Sequence, residues 1–401
     1  MNKKIELLAP AGDLERAKTA IRFGANAVYL GGKRFSLRSR ASNFDLCDIK
    51  EACDYAKEHG AHIHVTVNMI PHDEDLDGLE DYLKELENAG VTAVIVASPS
   101  IIQVVKKVAP KLEVHLSTQM STTNLKAIEY YKRLGVDRIV FARECNLEEV
   151  TFIAKNSPIP TEAFIHGGMC VNYSGRCTLS NAMTLRDANR GGCAQSCRWK
   201  YHLLQDEQEV STMDNLFSMS SKDLMAVEFM YDLMEANVAS LKIEGRMKSA
   251  YYIASVVHAY RKCIDEIGLT GQRLSPERLA YYVDELAKAE NRPTSSGFYR
   301  GLPTYRDHLY GINGAGVTHD FVGVVLSYDE VSKTALVQVR NVFTINDELE
   351  VFGPKIDNES FIVQSIVNGD NCKIDIANQP MTEVRVPIPF TVYPEDMIRR
   401  K

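Results

Sequence analysis

The chain has 401 residues, of which 45% are hydrophobic and 25% charged, and its formal net charge is -7. This composition is that of a globular protein with room for a large core and a second domain. The negative charge argues against a protein that coats nucleic acid non-specifically, while a local basic patch that docks one folded RNA stays open. No apolar run approaches the roughly 20 residues of a membrane helix, and the stretch MNKKIELLAPAGD lacks the pattern of a signal peptide. We therefore expect a cytoplasmic protein with no membrane partner and with reduced thiols.

Residues 1–267 alternate between short apolar runs and amphipathic stretches that often end in Gly. Eight repeats of strand and helix predict an α/β fold with a parallel sheet, and their number favours a closed TIM-like (β/α)8 barrel. An open doubly wound sheet is the competing topology, weakened because no G-x-G-x-x-G follows the first strand. The predicted strands are IELLAPAG, AVYLGG, HIHVTVN, AVIVAS, EVHLSTQ, RIVFARE, EAFIHG and SLKIEGR.

The unit between EAFIHG and SLKIEGR is too long for a single helix, and it contains a Cys-rich loop at residues 167–201. A long insertion after a barrel strand is often functional. Residues 268–317 read as a mixed linker. Residues 318–401 contain short strands and turns without helical patterns, which predicts a small C-terminal all-β barrel domain.

Polar residues recur at every second position of several predicted barrel strands. Because strand residues two apart face the same way, each set shares one face, and inward charge requires a partner or a ligand. The alternative is that these faces point away from the barrel interior. The sets are His62, His64, Thr66 and Asn68; His115, Ser117 and Gln119; Glu162, Phe164 and His166; and Lys242, Glu244 and Arg246.

Several of these residues stand at the carboxyl ends of strands, where barrel enzymes hold their active sites. They are Asn68, Gln119, Arg143 or Glu144, His166 and Arg246. The loop RFSLRSRASNF after the second strand adds Arg38 and Arg40, and guanidinium groups suit a small anionic ligand with carboxylates. An ordinary surface loop is the alternative reading of that segment.

Four cysteines, Cys170, Cys177, Cys193 and Cys197, follow the pattern C-x6-C-x15-C-x3-C. Structural zinc sites usually have tighter knuckles, whereas an iron–sulfur cluster accepts wider spacings. The spacing leaves both open, along with four thiols packed as small apolar groups. Basic and aromatic residues around Trp199 suit either an RNA-docking edge or solvated charge.

The stretches EAFIHGGMCVNYSGRCTLS, ELLAPAGDLERAKTAIRFGANAVYLGG, STQMSTTN and LKIEGRMKS resemble the collagenase-like peptidase family U32 over essentially the whole chain. The nearest branch by these motifs is that of proteins that hydroxylate tRNA. The resemblance implies conversion of the wobble uridine of tRNA to 5-hydroxyuridine, with prephenate as co-substrate and a [4Fe–4S] cluster. By the same resemblance, Cys170, Cys177, Cys193 and Cys197 are the expected cluster ligands, with zinc as the alternative metal.

From the strand faces and the resemblance, we expect catalytic residues among one set and ligand-binding residues among another. The expected catalytic residues are Glu162, His166, Lys242, Glu244 and Arg246, and the expected substrate-binding residues are Arg38, Arg40, Asn68, Gln119 and Arg143. The expected partners are tRNA and a small anionic co-substrate, and a protein partner is left open. Two further hypotheses remain: a thiol protease using Cys170 with His166, and a zinc-stabilised RNA-binding module.

Overall fold

A computed structural model describes residues 5–37, 43–212, 216–289, 292–309 and 321–401. Its first part alternates strands and helices. The strands are β1 (Glu6–Pro10), β2 (Ala27–Gly31), β3 (His62–Val67), β4 (Ala93–Val96), β5 (Glu113–Leu116), β6 (Arg138–Val140) and β7 (Thr161–Gly167). The helices are α1 (Leu14–Arg22), α2 (Leu46–Glu58), α3 (Leu79–Ala89), α4 (Pro99–Val108), α5 (Leu125–Arg133) and α6 (Leu147–Asn156).

A long insertion follows β7 before the eighth barrel strand. It contains α7 (Leu179–Thr184), β8 (Leu204–Gln205), β9 (Gln208–Glu209), β10 (Ser220–Ser221), β11 (Asp223–Met225) and α8 (Met230–Glu235). The remainder of this part contains β12 (Ser240–Ile243), α9 (Ala250–Thr270), α10 (Pro276–Ala287), β13 (Thr294–Ser295) and β14 (His308–Leu309).

The strands close into a barrel. Strands β1 to β7 pair in order, all parallel, and β12 pairs in parallel with both β1 and β7. The predicted (β/α)8 barrel is therefore confirmed, and the open doubly wound sheet is excluded because an open sheet has two unpaired edges. Strand β11 adds to β7 in the antiparallel direction. The segment expected to be a mixed linker contains α10 and also β13, which pairs with β11.

Polar caps explain where the barrel helices begin. The side chains of Asp13, Asp45, Asn124 and Asn146 each accept a hydrogen bond from a backbone N–H in the first turn of the helix that follows. Such caps satisfy N–H groups that have no partner within the helix. At the other end, α3 stops at Gly90, whose φ of 91° suits glycine.

The C-terminal part is all β, as predicted. Its largest sheet has eight strands in the order β19-β18-β24-β15-β16-β23-β20-β21 with antiparallel pairing, and among the described residues no pairing joins its two ends. The strands are β15 (Phe321–Asp329), β16 (Thr334–Val339), β17 (Phe343–Thr344), β18 (Glu348–Gly353), β19 (Ile356–Ile362), β20 (Ile366–Val367), β21 (Lys373–Ile374), β22 (Ile376–Ala377), β23 (Glu383–Pro387) and β24 (Met397–Arg400).

The two parts join through a buried ionic cluster. Arg399 is 1% exposed; its Nε donates to Glu350 Oε1 over 2.7 Å and its Nη2 to Glu285 Oε2 over 2.9 Å. Lys288 Nζ lies 2.6 Å from Glu285 Oε1. Because a buried charge without a partner is strongly destabilising, each part completes the charge balance of the other.

Among the described residues, none of the helices combines the length and the apolar character of a membrane span.

His258 of α9 lies in the same contact between the two parts, and its burial predicts that the stability of the protein falls at acidic pH. Its ring packs against Phe23 and Phe352, and burial lowers the pKa of His258 to about 3. In the unfolded chain a histidine has a pKa of about 6.5, so between about pH 6.5 and pH 3 the unfolded state binds a proton at His258 that the folded state does not bind. Stability is therefore complete above about pH 6.5 and is lost as the pH falls, by about 2 kcal/mol between pH 7 and pH 5.

We expect His258→Gln to reduce the fall in the free energy of unfolding between pH 7 and pH 5 by this amount, measured by urea unfolding. The matched control is His59→Gln, because His59 is exposed at the end of α2. An equal fall in the wild type and in His258→Gln would contradict the prediction.

Candidate active site at the mouth of the barrel

The barrel interior is charged in its lower half, near the amino ends of the strands. The register places Glu6 beside Ser240 and Ser240 beside Glu162. Arg138 Nη1 donates to Glu6 Oε1 over 2.5 Å and to Glu162 Oε2 over 3.3 Å, and Lys242 Nζ donates to Glu162 Oε1 over 2.8 Å. Because only β7 and β12 lie between β6 and β1 in the closed barrel, the bond from Arg138 to Glu6 spans two intervening strands inside it.

Glu162 is held ionised by its neighbours. Burial alone would raise its pKa, but Lys242 and Arg138 outweigh burial and hold the pKa of Glu162 at about 2. The Lys242 ammonium also lies 4.5 Å from the ring centre of Tyr29 and 5.4 Å from that of Phe164. Glu162 and Lys242 thus stabilise each other below the mouth, which favours a supporting role over direct contact with a substrate.

Two histidines fill the next level of the interior. The rings of His64 and His115 meet edge to face with centroids 4.8 Å apart, across the intervening strand β4. His115 Nε2 lies 2.9 Å from Glu113 Oε2. Burial, and then His115, lower the pKa of His64 well below its usual value. The predicted polar face of β3 therefore does point inward.

Arg246 is buried at the mouth and is bound from three directions. Its Nη1 donates to Ser36 Oγ over 3.0 Å and to Thr66 Oγ1 over 3.2 Å, and its Nη2 donates to Asn43 Oδ1 over 2.6 Å. A Cβ atom on Gly31 would lie 2.1 Å from Arg246 Nη2. The absence of a side chain at Gly31 therefore makes room for this guanidinium.

A second group of polar side chains lies beside Arg246 at the rim. Asn68 Nδ2 donates to Gln119 Oε1 over 2.8 Å, and the Arg143 guanidinium stacks 4.1 Å from the ring centre of Phe164. The Arg143 Nε and Gln119 Nε2 atoms are buried and have no hydrogen-bond partner among the described residues. Buried N–H donors without partners are costly, so this part of the rim is suited to an acceptor-rich ligand.

His166 does not share the inward face of Glu162 and Phe164, so this expectation is wrong. The register between β7 and β12 shifts near the end of β7, pairing Ile243 with His166. This bulge turns the His166 ring toward α9, where its Nδ1 lies 3.3 Å from the Tyr260 hydroxyl. Burial lowers the pKa of His166 to about 3, so the ring is neutral and packed behind the barrel wall.

Glu244 lies where the insertion begins. Its backbone N–H donates to the His166 carbonyl over 2.8 Å, and a Cβ atom on Gly168 would lie 3.4 Å from Glu244 Oε2. Its carboxylate therefore lies under the first residues of the insertion. Arg38 and Arg40 lie outside the described residues.

The insertion covers the mouth of the barrel through contacts with several strand ends. Beyond β6, Glu144 Oε1 accepts from the Ser174 backbone N–H over 2.8 Å. Beyond β3, Arg190 Nη2 lies 2.7 Å from Asp75 Oδ2. Beyond β5, Gly175 packs closely against the backbone of Gln119: a Cβ atom at Gly175 would lie 2.0 Å from the Gln119 carbonyl oxygen. The loop therefore lies directly above the rim residues.

The four cysteines of the insertion are electrostatic neighbours. Burial is the largest cause of a raised pKa at Cys197; Arg198 opposes it, and Cys170, Cys193 and Cys177 each add to it. These contributions place the four cysteines in one electrostatic neighbourhood. Within the described residues, no three His, Cys, Asp or Glu side chains are arranged to hold a single metal ion. Four thiols are a donor set that suits either a zinc ion or an iron–sulfur cluster.

Comparison with known proteins gives the family. A family model described as peptidase family U32 matches residues 12–308, and one described as the peptidase family U32 C-terminal domain matches residues 317–399. The chain belongs to peptidase family U32. Both parts of this U32 protein, the barrel and the β domain, are therefore features of its family.

Three relatives span the named activities. The tRNA hydroxylation protein P1 of Bacillus subtilis strain 168 is 45% identical over 405 residues, covering 100% of this chain and 96% of that protein. The 23S rRNA 5-hydroxycytidine C2501 synthase of Escherichia coli strain K12 is 40% identical over 265 residues, covering 66% and 40%. A collagenase of Porphyromonas gingivalis is 29% identical over 412 residues, covering 98% and 97%.

The U32 barrel also contains site residues that sequence reasoning missed. Asp223 of β11 is buried and lies 3.1 Å from Arg292 Nη1, 3.8 Å from Arg198 Nη2 and 3.8 Å from Lys248 Nζ. Burial lowers the pKa of Arg198, whereas Asp223 and the nearby cysteines oppose that shift. The only sequence signal for this group was the basic character of the insertion, because β11 is too short to stand out.

The fit of Arg246 against Gly31 gives a steric prediction. Gly31→Ala places a methyl group against the guanidinium and against Ser36 Oγ, and we expect it to lower the free energy of unfolding by about 1–3 kcal/mol. The matched control is Gly268→Ala, because a Cβ atom at Gly268 of α9 meets open space. Urea unfolding measures both, and equal stability of the two variants would contradict the packing described for Arg246.

Proposed function

We propose that this U32 protein hydroxylates a pyrimidine in RNA, most specifically the wobble uridine of tRNA to 5-hydroxyuridine, with a [4Fe–4S] cluster and prephenate as co-substrate. The observation that carries the proposal is the set of four cysteines above a barrel mouth in which buried N–H donors have no partner among the described residues. The names of the two RNA-hydroxylating relatives support the reaction class. The family's peptidase name alone supports no particular reaction.

The thiol arrangement favours an iron–sulfur cluster over zinc. The four cysteines follow the pattern C-x6-C-x15-C-x3-C. Structural zinc sites usually have tighter knuckles, whereas iron–sulfur clusters accept wider spacings. A [4Fe–4S] cluster would be held by these four thiolates and would supply redox chemistry. Zinc as the resident metal is the alternative that metal analysis would reveal.

The rim is suited to a small carboxylate ligand such as prephenate. Arg143 offers a guanidinium whose buried Nε has no partner in the part of the chain that the structure describes, and the same holds for Gln119 Nε2. Guanidinium groups bind carboxylates in a forked geometry. Asn68 orients Gln119 through their 2.8 Å bond, and Arg246 keeps positive charge at the same mouth. These side chains would bind and orient the co-substrate beneath the insertion.

Proteolysis by Cys170 with His166 has little physical support. A thiol protease needs a histidine that accepts the proton of the thiol and remains charged beside the thiolate. His166 is buried against Tyr260 and its pKa is about 3, so it does not hold that charge near neutral pH. The name of the collagenase relative is the single observation that favours this alternative.

Replacement of the cysteines tests the cluster. Changing Cys170, Cys177, Cys193 or Cys197 singly to Ser should abolish the brown absorption and most of the bound iron and acid-labile sulfide after anaerobic purification, because each thiolate is a ligand. The matched controls are Cys47→Ser and Cys372→Ser, since both thiols are free and exposed elsewhere. Stoichiometric zinc in a colourless wild type would exclude the cluster.

The same variants test the reaction. In a host that lacks every related gene, mass spectrometry of tRNA should detect 5-hydroxyuridine with the wild type and lose it with each cluster variant. Unchanged hydroxyuridine in the absence of the gene would exclude the proposed function.

Arg143 tests the co-substrate site. Arg143→Gln should raise the prephenate concentration for half-maximal RNA hydroxylation by roughly tenfold or more, because a charge-assisted forked hydrogen bond is lost. Arg143→Lys should fall between that variant and the wild type, since it keeps the charge without the fork. Arg133→Gln, on the exposed end of α5, is the control. Equal prephenate dependence in all four proteins would remove Arg143 from the site.

A further inference from the structure

We propose that the outward face of the insertion docks an unpaired RNA loop, with Tyr173 and Trp199 as stacking surfaces and Arg176, Arg186 and Lys200 as phosphate contacts. This docking face, defined by those five residues, rests on the proposed function, because it identifies where the RNA substrate would bind. It also accounts for residues that the barrel mouth does not use.

The cations of the insertion divide into an inward and an outward group. Arg190 pairs with Asp75 beyond β3, and Arg198 donates to the Met169 carbonyl and to Ser220 Oγ. Arg190 thus holds the insertion to the barrel, and Arg198 joins separate segments of the insertion to one another. The side chains of the outward group have neither an ion pair nor a hydrogen bond among the described residues; they are Arg176, Arg186 and Lys200.

The local charge opposes that of the whole protein. Between Cys170 and Leu203 the chain has five arginine or lysine residues and one acidic residue, Asp187, whereas its overall net charge is -7. A basic patch on an acidic protein attracts a polyanion to that patch and repels it elsewhere. RNA would therefore approach the barrel from the side of the insertion, which is the side of the candidate active site.

Aromatic exposure favours an unpaired loop over a duplex. Trp199 is 42% exposed and Tyr173 is 51% exposed, although large aromatic side chains gain most from burial. Both flank the cysteine positions of the insertion, so a nucleotide on them would lie near the proposed cluster. Proteins that read single-stranded RNA stack splayed bases on such rings and neutralise the phosphates with basic side chains.

Trp199 is the only tryptophan of the chain, so tryptophan fluorescence reports from the docking face alone. We would titrate the cluster-loaded protein anaerobically with a short RNA hairpin that has an unpaired, uridine-containing loop, and with a blunt duplex of the same composition. We expect the hairpin to quench Trp199 and to bind at least about fivefold more tightly than the duplex, since a duplex offers no free base for stacking. Trp199→Ala should weaken hairpin binding by roughly tenfold, measured by anisotropy of labelled RNA.

Charge is tested with two triple variants that make the same charge change at opposite ends of the barrel. Arg176→Gln with Arg186→Gln and Lys200→Gln alters the docking face. Lys57→Gln with Lys111→Gln and Lys155→Gln alters exposed lysines at the amino end of the barrel. Because each lost phosphate contact on a single strand lowers the salt dependence of the logarithm of affinity by about 0.7, we expect the first triple variant to lower it by about 2 and the second to leave it unchanged.

The outcomes separate the docking face from the proposed function. If the wild type binds the hairpin and both triple variants bind it equally well, the docking face is wrong while an RNA substrate survives. If the wild type binds neither RNA, the RNA substrate itself fails. Equal binding of hairpin and duplex without quenching of Trp199 would overturn the stacking role. Iron content and circular dichroism of each variant verify that the fold is intact.

Discussion

The bond between Lys242 and Glu162, shared with Arg138, is the constraint on which the site depends. A barrel interior is normally filled by branched aliphatic side chains, but here a buried carboxylate lies between two cations. Removing one partner of a buried pair leaves an unpaired charge, which is far more costly than the pair itself. The charges therefore have to be kept together, and they fix the relative positions of β6, β7 and β12.

The rim is built on that base. Strand β12 contributes Lys242 to the ionic core and leads directly to Arg246, while β6 contributes Arg138 and leads to Arg143. A displacement of either strand would move a rim guanidinium along with the buried charge. The cover above the rim is held by separate contacts, such as Ser174 with Glu144 and Arg190 with Asp75. The ionic core below the rim and the insertion above it are thus held by separate sets of contacts.

Strand order, barrel closure and the inward polar faces were predictable because alternation with period two is local. His64, His115 and Lys242 follow it. Other features were not predictable for identifiable reasons. The bond from Arg138 to Glu6 joins residues 132 positions apart across the barrel, and no local pattern encodes such a pair. Asp223 belongs to a three-residue strand inside a long insertion, where periodicity has too few positions to be read. His166 departs from alternation because the register shifts at that point.

The register shift at the end of β7 affects the direction in which the chain leaves the barrel. Because of one extra residue, the ring of His166 faces α9 instead of the barrel interior. The next residue, Gly167, has a φ of 102°, which a regular strand does not adopt, so the chain turns away from the barrel wall here. The insertion that contains the cysteines therefore crosses the mouth of the barrel, whereas the other barrel strands lead to an ordinary helix. The extra position in β7 therefore lies at the point where the chain leaves the barrel wall to form the insertion.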